Sequence, residues 1–261
     1  MILAISIQNT ETSFGFYEGD SICHHCIISS ISQKTADEYV MFLNDLCAQK
    51  EIDKSKIEGA VIASVVPPIT EKLKQAVEIV FHCNPLIVAH GIKTGLNIRI
   101  DNHTQLGADI VANTVAAAGK LEKPFAVIEL GSATTISAVN KQGELFGVII
   151  IPGVKLSLDA LSNSAAELPD ISLEKPKSLL GKNTIDSMLS GSVYGTAAML
   201  DGIISRLKEE LKSDDLNVIA CGGLAEKIIP YCKTEIKANK YLTLEGLLQL
   251  YKLNQKKPNQ I

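Results

Sequence analysis

The sequence predicts an α/β protein of two domains, each a mixed sheet flanked by helices, and three observations lead to that fold. Strand-type and helix-type segments alternate after an opening run of strands. That run (strand, polar turn, strand, turn, strand) recurs near the middle of the chain, as an internal duplication would make it. In both copies the first strand breaks into a polar or glycine turn at the same place, Gln8-Asn9-Thr10 and Gly131-Ser132.

With 261 residues, 46% hydrophobic and 21% charged, the chain can bury a substantial core and has the balance of an ordered globular protein. A net charge of −4 and a pI near 5.8 leave no electrostatic footprint for nucleic acid. Met1-Ile2-Leu3-Ala4-Ile5 lacks a basic leader region, and no apolar run reaches the length of a membrane span. A cytoplasmic protein with neither a nucleic-acid nor a membrane partner is expected. The six cysteines are scattered, without the density of a disulfide scaffold. Cys23-His24-His25-Cys26 holds zinc-type ligands at short spacing, but no second pair completes a tetrahedron, and a strand of the N-terminal hairpin is the favoured reading.

The elements follow in order. Strands are predicted over 1–7, 13–17 and 21–28, and a helix over 35–50 from Ala36, Val40, Leu43 and Cys47 behind an acidic start. A buried-type strand over 59–66 is stopped by Pro67-Pro68, with a helix over 69–81 and a short strand over 85–89 after it. Residues 95–102 read as loop or short strand, leading through Thr104 to an alanine-rich helix over about 108–120. That helix marks the domain boundary, giving domains of 1–118 and 119–261. The second copy has strands over 124–130, 135–140 and 145–151 and a helix over 154–161, then a loop over 169–180. Residues 183–211 read as one long helix or two joined near Gly191 and Gly195. A strand over 217–220 runs into Gly222-Gly223, and the polar tail from Asn254 to Ile261 is expected to fray.

The chemistry concentrates in three turns, residues 6–13, 129–135 and 221–225. Turns of this kind can offer backbone N–H groups and hydroxyls to phosphates, and a Gly-Gly pair after a strand lets backbone approach a flat ligand. Gly107-Ala108-Asp109 sets a carboxylate at a helix start, where an acid serves as a base or simply as a cap.

These motifs resemble, over nearly the whole chain, those of the type III pantothenate kinases. The matching pieces are Ser6-Ile7-Gln8-Asn9-Thr10, Ser64-Val65-Val66-Pro67, Gly107-Ala108-Asp109-Ile110 and Glu129-Leu130-Gly131-Ser132-Ala133-Thr134-Thr135. Pro152-Gly153, Leu168-Pro169, Gly181-Lys182-Asn183-Thr184 and Gly222-Gly223-Leu224-Ala225 complete the set. The resemblance implies a duplicated actin-like ATPase (ribonuclease H-like) fold with its active site in the cleft between the domains. It further implies ATP-dependent phosphorylation of pantothenate, the first step toward coenzyme A, by an obligate homodimer. On the same basis Asp109 is the general base, and Gly107, Ala108, Ile110 and, across the dimer, Thr184 meet the substrate. Ser6, Ile7, Gln8, Asn9, Thr10, Glu11, Thr12, Ser13 and Ser132 contact magnesium-ATP, and Glu129 binds a monovalent cation, potassium or ammonium.

Several positions depart from the family pattern. Ser6 and Gln8 replace an acid and a glycine, Glu129 replaces a shorter aspartate, and Ile110 replaces an arginine. Ile100 and His103 stand in for tyrosine and proline. A charged hydrogen bond contributes about 1.5–3 kcal/mol, so losing two such contacts costs roughly a hundredfold or more in rate. A catalytically silent binding or regulatory protein on the same scaffold is therefore the second functional class for this chain.

Overall fold

The computed structural model describes residues 1–102, 105–165 and 167–255. His103, Thr104, Ala166 and 256–261 lie outside the described residues, and with them the expectations placed on His103, Thr104 and most of the tail. In chain order the first elements are β1 (Ile2–Ile7), β2 (Glu11–Glu18), β3 (Ser21–Ser29), α1 (Ala36–Gln49), β4 (Gly59–Ser64), α2 (Pro67–Phe81), β5 (Leu86–Ile87), β6 (Asn97–Ile98) and α3 (Ala108–Ala118). Then come β7 (Phe125–Leu130), β8 (Ala133–Val139), β9 (Glu144–Pro152), α4 (Val154–Ser164), α5 (Thr184–Glu210), β10 (Asn217–Cys221), α6 (Ala225–Ile228), β11 (Lys237–Ala238) and α7 (Leu242–Asn254).

The duplication is explicit in the sheets. One has the order β3-β2-β1-β4-β5, and the other β11-β10-β7-β8-β9-β6. In each, the first strand of the copy is central, antiparallel to its hairpin partner on one side and parallel to a later strand on the other. The chain separates into two compact units. Among the described residues, those of Met1–Gly95, Asn102–Ala116 and 242–255 form the first, and those of Leu96–Asp101 with Ala117–Tyr241 the second. A division near residue 118 puts the last helix in the second domain, whereas α7 packs on β1, β2 and β4 of the first sheet. Segment 96–101 in turn extends the second sheet as β6, where Arg99 Nε and Asn97 Nδ2 reach Glu144 Oε1 at 2.9 and 3.2 Å.

One face of each sheet packs against helices of its own unit, and the first sheet also meets α7. Leu3, Ile5, Ile7, Phe14, Phe16 and Ile62 pack with residues of α1 and α2 in the first unit, and Ile128, Leu130, Ile136 and Val218 with α4, α5 and α6 in the second. α1 starts at a capping box, in which Thr35 Oγ1 accepts from the Glu38 N–H at 3.2 Å and Glu38 returns a bond to the Thr35 N–H at 2.7 Å. The expectation that Pro67-Pro68 ends the strand before a helix from residue 69 is corrected. Both prolines lie in the first turn of α2, where a missing N–H costs no hydrogen bond. Residues 184–210 form one helix of 27 residues, capped by Asn183 Oδ1 accepting from the Asp186 N–H at 2.8 Å. Asn254 does not fray. It is the last residue of α7, and its side chain exchanges hydrogen bonds of 2.9 and 2.8 Å with the backbone of Lys93. The Cys23–Cys26 stretch is part of β3, where His24 and Cys26 pair with Phe16 and Phe14 on one face, His25 pairs with Gly15 on the other, and Cys23 falls at a shift of register. Among the described residues no cluster of metal-ligating side chains occurs, and no helix is long and apolar enough to cross a membrane.

Candidate active site

In the first unit the turn between β1 and β2 is closed by the Gln8 N–H donating to the Glu11 carbonyl at 2.9 Å. Ser6 precedes it on the central strand, only 4% exposed, opposite Ser13 of β2 and Ala63 of β4. Ile7 faces the core, Asn9, Thr10 and Glu11 are exposed, and Gln8 and Ser13 are half-buried. Thr12 is fully buried with its hydroxyl 2.8 Å from Ser30 Oγ, so that bond fastens the base of the turn to the edge strand.

The same unit holds Asp109, in the first turn of α3. Its Oδ1 accepts from the Ile110 N–H at 2.9 Å, while the Gly107 carbonyl accepts from the Val111 N–H and begins the helix ladder. The carboxylate therefore lies inside the first turn rather than at the cap. A Cβ on Gly107 would collide with Asp109 Oδ1, so the glycine leaves the room that the carboxylate occupies. Burial pushes the Asp109 carboxyl above the usual aspartate range, and the bonds it accepts from the backbone N–H groups of Ile110 and Asp109 only partly offset this. Ile110 is buried, with Val111 and Ala112 beyond it. α7 crosses α3 closely here, because Gly246 brings its backbone within 2.5 Å of the Ala112 carbonyl carbon measured from an added Cβ.

In the second unit Glu129 is 4% exposed on central strand β7, with Thr135 of β8 and Cys221 of β10 as its cross-strand neighbours on the same sheet face. Gly131-Ser132 is a tight turn, closed by the Gly131 N–H to the Ala133 carbonyl at 3.1 Å. The loop after β10 comes to the same place, where the Leu224 N–H donates to the Leu130 carbonyl at 3.3 Å. Two of the three turns singled out in the sequence thus meet within this unit. Thr184 opens α5 and is exposed. It borders a cleft of about 840 Å³ between α4, α5 and the end of β9. Thr134 lines that cleft from the opposite sheet face to Glu129, with its Oγ1 buried and lacking a hydrogen-bond partner. The tight glycine contacts around the Gly131-Ser132 turn were not foreseen, since their partners lie far apart in sequence.

Comparison with known proteins identifies the family. The family model for type III pantothenate kinase matches residues 2–206. The chain belongs to the type III pantothenate kinase family. A type III pantothenate kinase of an Exiguobacterium species (strain AT1b) is 40% identical over 256 residues, 98% of this chain and 100% of that one. One from Halalkalibacterium halodurans is 41% identical over 254 residues, 97% and 100% of the two chains. Solved structures similar in fold include a conserved putative Baf family transcriptional activator from Campylobacter jejuni, with a TM-score of 0.59 and 18% identity over 96% of this chain and 97% of that one. The activator of 2-hydroxyisocaproyl-CoA dehydratase from Clostridium difficile with bound ADPNP has a TM-score of 0.57 at 13% identity, covering 96% and 93%. At such identities these two speak to the fold alone, the duplicated actin-like ATPase fold expected from the sequence.

Proposed function

We propose that this type III pantothenate kinase family member transfers the γ-phosphoryl group of ATP to the primary hydroxyl of pantothenate, with Asp109 as the proton acceptor. The observation that carries this reading is the Asp109 carboxylate, half-buried beside Gly107 and made more basic by that burial. The hydroxyl oxygen forms the new bond to the γ-phosphorus as its proton passes to an Asp109 oxygen, and the bond to the ADP oxygen breaks. Gly107 and Ala108 place backbone beside the substrate, and the neighbouring Ile110 adds an apolar contact.

The residues present fit a nucleotide's phosphates unevenly. The Gly131-Ser132 turn offers a half-exposed hydroxyl, and residues 9–11 an exposed turn, whereas Ser6 supplies no charge for a divalent ion. Magnesium-ATP, when bound, supplies the phosphoryl group and neutralises its charge; Ser6 to Ser13 and Ser132 are the chain's contacts to it. Glu129 is read as the ligand of a monovalent cation, potassium or ammonium, its carboxylate lying on the same sheet face as the Thr135 hydroxyl, which adds a second oxygen ligand. The protein acts in the cytoplasm as a homodimer. Thr184, at the exposed start of α5, meets the substrate of the second copy, and the neighbouring Leu179, Leu180 and Ile185, exposed by 64%, 81% and 49%, are the apolar surface that copy covers.

One observation favours a second reading: with a buried serine at residue 6, the scaffold binds its ligands without turnover. A coupled assay of pantothenate phosphorylation with ATP, magnesium and potassium or ammonium separates the two. The kinase reading expects turnover that Asp109→Asn abolishes. Equal silence of both proteins, with pantothenate or nucleotide binding seen by calorimetry, establishes the silent scaffold instead. Sedimentation velocity checks the dimer.

A further inference from the structure

Two glycines press on the Gly131-Ser132 turn from outside it. Gly153 follows β9 and precedes α4, with φ −64° and ψ 156°, a conformation open to any residue. What excludes a side chain there is its surroundings. A Cβ on Gly153 would lie 2.6 Å from the Gly131 carbonyl oxygen and 2.7 Å from the Ser132 carbonyl carbon, and nearer still to the Ser132 carbonyl oxygen. Gly222 follows β10 with φ +92°, and a Cβ on it would lie 2.5 Å from the Leu130 carbonyl oxygen and 2.8 Å from the Leu130 nitrogen. Contacts under 3 Å are essentially never made by real Cβ atoms, and here the atoms met are backbone, which cannot swing aside. Gly222 thus backs the residue before the turn, where the Leu224 N–H also bonds the Leu130 carbonyl, and Gly153 backs the turn itself.

We propose that Gly153 and Gly222 are positioning residues for nucleotide binding, a backbone clamp that fixes where the Gly131-Ser132 turn presents its hydroxyl and amide to a phosphate. The inference rests on reading Ser132 as a nucleotide contact. A methyl group at either glycine displaces the turn by the ångström or so needed to relieve the overlap, and displacements of that size at a reacting centre cost about a hundredfold. Pantothenate, read as held by Gly107 to Ile110 of the first unit and by Thr184 across the dimer, meets neither glycine in that reading. Gly147 provides the control, since it lies in the same strand that leads to Gly153 and a Cβ on it meets nothing within 4 Å.

The test measures KM for ATP and for pantothenate, kcat, and the affinity for a non-hydrolysable ATP analogue, in Gly153→Ala, Gly222→Ala, Gly147→Ala and Ser132→Ala. The clamp predicts about a ten- to hundredfold weaker nucleotide interaction in the first two, with pantothenate KM unchanged and Gly147→Ala like wild type. Nucleotide affinity unchanged in folded Gly153→Ala and Gly222→Ala, or an equal loss for both ligands, overturns it. If Ser132→Ala weakens the nucleotide and the glycine variants do not, the clamp fails while the reading of Ser132 stands. If none of them changes nucleotide binding, that reading has failed. Amide hydrogen exchange on the wild-type protein gives a second measurement should the variants not fold. The ATP analogue should protect 130–133, 153–155 and 222–225 together, and protection of 130–133 alone overturns the proposal.

Discussion

In the first sheet the β1–β2 turn is closed by the chain on itself, Gln8 to Glu11, and the residue that leads into it is the neutral, buried Ser6. In the second sheet the β7–β8 turn is braced by two glycines from other segments, and the residue that leads into it is the buried acid Glu129. Ser6 and Glu129 occupy corresponding places in the two copies, as do Gln8 and Gly131. The comparison teaches that duplication fixes the backbone route but not the chemistry. One copy keeps charge and close backbone approach at its turn, and the other carries the Asp109 carboxylate on α3. Under the proposed function, the charged part of nucleotide recognition falls to the second unit and proton transfer to the first.

The largest expected effect tests the first unit's share. Asp109→Asn should lower kcat about 10²–10⁴-fold with nucleotide affinity intact. Because burial raises this carboxyl, wild-type kcat/KM should fall as pH drops through a value above the ordinary aspartate range, and the limb should vanish in the variant. The sign for stability is opposite to that of a salt-bridged acid. Folding favours the protonated form, so the contribution is full at low pH and lost as pH rises through the folded value. Asp109→Asn should accordingly be at least as stable as wild type at neutral pH, an advantage that urea titration should show disappearing in acid.

Glu129→Gln comes next, and should remove dependence on potassium or ammonium and cost about ten- to hundredfold in kcat/KM, read from an alkali-cation titration. An undiminished cation response would move the charge of the site elsewhere and break the comparison. Gly246→Ala should destabilise the protein by about 1–3 kcal/mol, since the added carbon meets the Ala112 backbone; thermal unfolding reads this. Ser6→Asp with Gln8→Gly should raise kcat/KM about tenfold by giving the first turn what the second retains. No gain from that pair would mean the two turns are not functionally alike.

Much of this was legible in the residues. Alternation and turn chemistry marked both hairpin units, and the Gly-Ala-Asp pattern marked a carboxylate at the start of α3. Other features depend on contacts that local pattern does not carry. α7 was not read because Leu242, Leu244, Leu247, Leu248 and Leu250 surround it with apolar side chains and Gly246 interrupts it, leaving a weak helical stripe. Pro67-Pro68 was read as a stop because proline ends strands as readily as it starts helices. The clamp was invisible because Gly153 and Gly222 meet a turn about 20 and 90 residues away in sequence, and a steric need at that distance leaves only a glycine behind.

The return of α7 to the first sheet sets an order on the making of the molecule. Domains generally fold as units while the chain is being synthesised, the earlier before the later. Here β1, β2 and β4 are among the first strands to leave the ribosome, yet one of the helices that pack on them begins at Leu242, after every residue of the second unit. The half that is synthesised first is the half that is finished last. Until α7 arrives, Gly15 of β2 lacks its neighbour Leu244, and the helix bearing Asp109 lacks the Gly246 crossing. A nascent chain can therefore complete its second unit while the first, with Asp109, still waits for its last helix.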